Sequence, residues 1–173
     1  MSRRLFAVFL ALSAAALTSC SDGGGAALSG AGKGSNLVGY EHTQVGKEYW
    51  VAMPQMENTS GKPLTVLNGK IAHVPAGLRI TAYRVVSDGA GPHPTGVTPV
   101  GVTDDSASAH KGSSIRIPAH TRSHLYFEAR VKVTGTVRGD LTDCRYRYRQ
   151  DSTTYREDIG CDTRIRLGKA VDG

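Results

Sequence analysis

No apolar run in the 173 residues reaches the roughly 18 needed to cross a bilayer as a helix. No tract repeats, although glycine occurs 21 times, so a collagen-like or wholly disordered chain is excluded. No window sustains a 3.6-residue apolar period of helical length. The Gly-x-Ser-x-Gly elbow of α/β-hydrolases is missing. Asp104, Asp105, Ser106 and His110 fall close together, but on a stretch that reads as a loop, where nothing orients a histidine for a triad. Gly30-Ala31-Gly32-Lys33-Gly34-Ser35 lacks both the spacing and the preceding strand of a phosphate loop. Aromatics are scarce at 6%, and cysteine occurs three times. What remains is enough chain for one ordinary domain.

The first twenty residues read as an export address rather than as part of the fold. Arg3 and Arg4 supply a positive start, and Leu5 to Leu17 is apolar except for Ser13. Leu17-Thr18-Ser19-Cys20 resembles the lipobox of bacterial lipoproteins, in which cleavage before the cysteine exposes a thiol that carries diacylglycerol. Residues 1–19 are therefore expected to be a lipoprotein signal peptide and Cys20 a lipidated residue, acylated with palmitate-type chains. Several chains hold firmly, because each buried methylene contributes about 0.8 kcal/mol. An ordinary secretory signal with an incidental cysteine is the alternative. Ser2-Arg3-Arg4-Leu5-Phe6 also resembles a twin-arginine export signal, so the general secretory and twin-arginine routes both stay open. Removing 19 residues lowers the formal charge from +6 to +4. Residues 20–36, rich in Gly, Ser and Ala, are expected to form a flexible tether.

From residue 37 the pattern turns to short β-branched and aromatic runs between turn residues. Candidate strands are 37–45, 48–58, 64–73, 77–86, 113–118, 124–134, 142–150 and 154–167, with a further short strand in 97–102. Residues 37–173 should form one sandwich able to fold alone. Period-2 alternation sends Cys144, Tyr146 and Tyr148 to one face and Arg145, Arg147 and Arg149 to the other. If Cys20 is lipidated, Cys144 and Cys161 remain as an even pair, which the compartment outside the cytoplasmic membrane allows to oxidise. A hairpin turning at Ser152-Thr153 would set Cys144 opposite Cys161 and Arg147 opposite Asp158, although also Asp143 opposite Asp162. Two free thiols or a metal pair are the competing readings.

The lipobox, the tether, Glu57-Asn58-Thr59-Ser60-Gly61-Lys62-Pro63-Leu64-Thr65, Val74-Pro75-Ala76-Gly77-Leu78-Arg79-Ile80, Ile117-Pro118-Ala119-His120 and Cys161-Asp162-Thr163-Arg164-Ile165-Arg166-Leu167 carry a resemblance. Together they look like small actinobacterial envelope lipoproteins with an immunoglobulin-like β-sandwich. The resemblance implies an all-β fold, an antiparallel immunoglobulin-like sandwich, and a place on the outer face of the cell membrane. It implies no activity, and no functional residues come with it.

Arg130, Lys132, Arg145, Arg147, Arg149, Arg164 and Arg166 would line one face if their strands are neighbours. Such a stripe attracts anionic partners: headgroups, envelope polymers or an envelope protein. Otherwise it is a solvated face with interleaved acids. Tyr146 and Tyr148 alternate away from the arginines, so specific nucleic-acid binding is not expected. A copper chaperone is the alternative, since His42, Met53, Met56 and His73 combine thioether and imidazole, which suit copper. Its likeness to periplasmic copper chaperones lacks the His-x-Met pair. The preferred expectation is a non-enzymatic binding or scaffold module without a cofactor. The long stretch 87–112 is the second place to look for a binding site.

Overall fold

A computed structural model describes residues 23–24, 26–30, 38–88, 96–102 and 114–169. The lipobox, Cys20 and the Asp104–His110 cluster lie outside the described residues. The described chain has no helix and runs through β1 (Gly23–Gly24), β2 (Leu28–Gly30), β3 (Val38–Thr43), β4 (Glu48–Ala52), β5 (Met56–Asn58), β6 (Leu64–His73), β7 (Ala76–Ser87), β8 (Val97–Pro99), β9 (Ile115–Ile117), β10 (Thr121–Arg122), β11 (Leu125–Arg138), β12 (Thr142–Gln150), β13 (Thr153–Ile159) and β14 (Thr163–Leu167). The expected strand 48–58 is split around Pro54, whose ring removes a ladder donor. The expected strand 154–167 is split at Gly160–Asp162, and Val97–Pro99 forms the anticipated short strand.

The fold is an open antiparallel β-sandwich of immunoglobulin-like type. One sheet has the order β1-β13-β12-β6-β9 and the other β7-β11-β4-β8, with two small sheets, β10-β5-β2 and β14-β3, at their margins. Among the described residues, only β1 with β13 and β14 with β3 pair in parallel. The core lies between the two large sheets. Val66, Ile71, Cys144, Tyr146 and Tyr148 from one pack against Val51, Phe127, Ala129, Val131 and Val133 from the other. Phe127 and Tyr146 meet across the layers with ring centroids 6.1 Å apart. Gly69 makes room for them, since a Cβ there would stand 2.9 Å from the Tyr146 ring and 3.0 Å from that of Phe127. Burial raises the Tyr146 phenol pKa, and its hydroxyl donates to the Pro54 carbonyl at 3.0 Å.

Cys144 and Cys161 form a disulfide with Cα atoms 5.6 Å apart. The hairpin register differs from the expected one by two residues. Gln150 faces Thr153, so Asp151-Ser152 makes the turn, and Cys144 faces Ile159 rather than Cys161. Asp151 adopts φ 53°, a left-handed conformation that aspartate tolerates better than most residues. Cys161 reaches Cys144 from just beyond the strand end. The feared Asp143–Asp162 opposition does not arise. Asp143, also left-handed at φ 59°, accepts a bond from His73 at 2.6 Å if the facing ring nitrogen carries the proton.

Part of the expected flexible tether is instead seated on the domain. β2 pairs antiparallel with β5, and Ala27 and Leu28 are buried. The Ala27 amide donates to the Tyr148 hydroxyl at 3.3 Å, and the Leu28 amide donates to Glu157 at 3.1 Å. Thr59 N–H donates to the Ala27 carbonyl at 2.9 Å. Gly30 lies against Ile159, where a Cβ would come within 2.9 Å of that side chain. Residues 26–30 are thus a strap seated in the sandwich. A domain begun at residue 37 lacks a piece of its own core.

Candidate functional site

Among the described residues, the outer face of the five-stranded sheet gathers a dense group of cations. On β12, buried Cys144, Tyr146 and Tyr148 alternate with outward Arg145, Arg147 and Arg149. Ladder partners share a face, so the neighbours of these arginines can be read from the register. Arg145 lies between Lys70 and Asp158, Arg147 between Asn68 and Arg156, and Arg149 between Thr65 and Thr154. Beyond Thr65, Arg116 extends the last row on β9. Strands about 4.8 Å apart and residues about 3.4 Å apart along each make this a patch of roughly 14 by 14 Å.

Among the described residues, Asp158 is the acid that falls in these rows. It takes the Arg145 guanidinium in a two-bond clasp of 2.8 and 2.9 Å. That clasp raises the Arg145 pKa and, with the positive charges nearby, lowers that of Asp158. Away from that corner, Arg147 and Arg156 stand directly opposite each other in register, and both are exposed. Opposed cations of this kind concentrate positive potential on one face, which favours an anion placed over them. A guanidinium fork matches phosphate and carboxylate geometry, and the Thr65, Thr154 and Asn68 side chains add hydrogen-bond donors in the same rows. The tyrosines of β12 are 0–1% exposed in the core, so this face offers charge without a stacking surface.

The seven residues expected to form one stripe divide among three places. Arg145, Arg147 and Arg149 belong to the patch. Arg130 and Lys132 lie on β11 in the other large sheet, where Arg130 pairs with Glu48 at 2.5 Å. Beside it, Arg84 is bound to buried Glu128 at 2.8 Å and stacks 3.8 Å above the Trp50 ring. Arg164 and Arg166 lie on β14, both on Asp140 at 3.5 and 2.8 Å. Arg166 also donates to the Gly139 carbonyl at 2.8 Å. These four cations do not extend the patch, because their strands belong to different sheets. The patch gains three that the sequence reading left out: Lys70, Arg116 and Arg156. Arg116 stands between buried Ile115 and Ile117, so its outward direction was readable, but its neighbours were not.

The four copper candidates are not presented as a ligand set. Met53 and Met56 are 3% and 0% exposed in the core. The break between β4 and β5 around Pro54 lets both turn inward despite their odd spacing. His42 and His73 are exposed; His42 contacts the Lys169 carbonyl and His73 the Asp143 carboxylate. No group of three or more His, Cys, Asp or Glu side chains among the described residues is placed to hold a metal ion. Most of the stretch 87–112 lies outside the described residues. No family model matches the chain, and no curated protein sequence is significantly similar to it.

Proposed function

We propose that this protein is an exported lipoprotein, anchored through Cys20 at the outer face of the cell membrane. It acts as a non-enzymatic binding module for an anionic partner through the outer face of the five-stranded sheet. The observation that supports this reading is the in-register set Arg147, Arg149, Arg156 and Arg116, with the nearby acid Asp158 already engaged by Arg145. In the other large sheet Glu128 and Glu48 answer Arg84 and Arg130, whereas the outer face of the five-stranded sheet sets Lys70, Arg116, Arg145, Arg147, Arg149 and Arg156 against Asp158, the denser gathering of cations. In the anchored form the exposed arginines meet phosphate- or carboxylate-bearing components of the envelope.

The test combines the anchor and the face. Cys20→Ala should release the protein from the membrane fraction. The triple variant Arg147→Gln, Arg149→Gln, Arg156→Gln should keep the anchored fold and elute from an immobilised polyphosphate matrix at distinctly lower salt than the parent. Elution at the parent's salt concentration would sink the binding reading, and membrane retention of Cys20→Ala would sink the anchor.

A further inference from the structure

The N-terminal segment reaches the domain beside the basic face. β1 runs parallel to β13 with Gly24 next to Arg156, and β2 is held between β5 and the Glu157 side chain. Cys20 precedes Gly23 by three residues, a span of at most about 11 Å when fully extended. A free 16-residue coil would instead stand about 20–24 Å from end to end and let the domain turn in any direction. The strap removes most of that freedom, because an anchor on Cys20 is then tied within about 11 Å of Gly23, beside the row of Arg147 and Arg156.

We infer that the outer face of the five-stranded sheet docks on anionic phospholipid headgroups of the same leaflet that holds the anchor. This rests on the lipid-anchor reading proposed above and names the partner of that site. Three observations support this occupant. Gly23 and Gly24, three and four residues after Cys20, pair beside the face rather than across the molecule from it. The patch is a broad sheet surface of cations without exposed aromatic or large apolar side chains, suited to the plane of headgroups rather than to insertion. The arginine forks match phosphate geometry. The short span keeps the patch within reach of the surface at all times, so weak contacts act at high effective concentration. Each cation held near an anionic surface multiplies the association constant by about five.

The experiment uses the mature protein with its anchor, in vesicles of phosphatidylcholine alone or of phosphatidylcholine with phosphatidylglycerol. A water-soluble arginine reagent is applied, and modification at each site is read by mass spectrometry. Arg147, Arg149 and Arg156 should react about five-fold more slowly or less in the phosphatidylglycerol vesicles. Exposed Arg79 and Arg138 of the other large sheet should react equally in both. The protection should vanish in 1 M salt, where screening acts over about 3 Å. Equal reactivity in both vesicles, with diacylglycerol present on Cys20, overturns the docking and leaves the anchor standing. A Cys20 without lipid overturns the anchor and the docking with it. Protection that appears only when a soluble anionic envelope polymer is added assigns the face to that polymer and overturns the membrane contact.

Discussion

Leu28→Ala separates a seated strap from a loose tether. Leu28 is the one large apolar side chain in residues 21–36, and it is 3% exposed. Truncating a buried leucine to alanine costs about 2–5 kcal/mol through lost transfer energy and a residual cavity. Here the lower end is expected, because the strap can lift away instead of leaving a void. Once it lifts, the amides of Ala27 and Leu28 lose their bonds to Tyr148 and Glu157. The expected loss is therefore about 2 kcal/mol, set against a total of roughly 5–15 for a domain of this kind. Urea denaturation of the mature protein checks it. With a slope of about 2 kcal/mol per molar, the midpoint should fall by about 1 M. Amide exchange should show protection lost at Leu28 and at Thr59, which donates to Ala27. A change below about 0.5 kcal/mol, with exchange at those amides unaltered, would refute the seated strap and return residues 20–36 to the role of a tether.

Two further outcomes follow from the same region. Replacing Cys144 and Cys161 together by alanine opens a crosslink spanning 17 residues and should lower stability by about 3 kcal/mol in urea; a loss under 1 kcal/mol would mean the β12–β13 hairpin is held without it. Burial raises the Glu157 carboxyl pKa above its usual 4.5, only partly offset by the Leu28 amide, the Tyr148 hydroxyl and the Ala27 amide. The folded state therefore holds this proton more tightly than the unfolded one, and stability falls as pH rises from about 4.5 through the folded-state value. Glu157→Gln should flatten that decline in urea titrations between pH 4.5 and 7.5. A parallel decline in parent and variant would show that another group causes it. Asp140 and Asp158, whose pKa values are lowered, act below this window.

The face of each strand was legible in the sequence, and its neighbours were not. Cys144, Tyr146 and Tyr148 point inward as the period of two requires. Yet the partner of β12 on one side is β6, some seventy residues earlier, and no local pattern encodes that choice. The stripe was therefore assembled from arginines close in sequence, whereas the patch joins Arg147 to Arg156 across a hairpin and Arg149 to Arg116 through Thr65. The disulfide was legible because only two cysteines, Cys144 and Cys161, follow Cys20. Its register was missed because counting from Ser152-Thr153 overlooked the readiness of Asp151 to take a positive φ. The strap was hidden by composition: one leucine among glycines, alanines and serines carries too weak a signal, and its worth comes from a slot built by distant strands. The methionines misled for a related reason, since parity in a straight strand fails at Pro54.

The strap also governs how this protein behaves among its own copies. β1 and β2 are the outermost strands beside β13 and β5. When residues 23–30 lift away, backbone donors and acceptors of both strands are uncovered, next to the apolar slot that Leu28 had filled. Bare strand margins recruit extended chain, and the freed strap of a second molecule has the sequence that fits. Reciprocal exchange of straps would join two protomers without any new contact. A high local concentration of copies raises the chance of such exchange, while the short covalent path from the sandwich to its own strap favours each strap refilling its own slot.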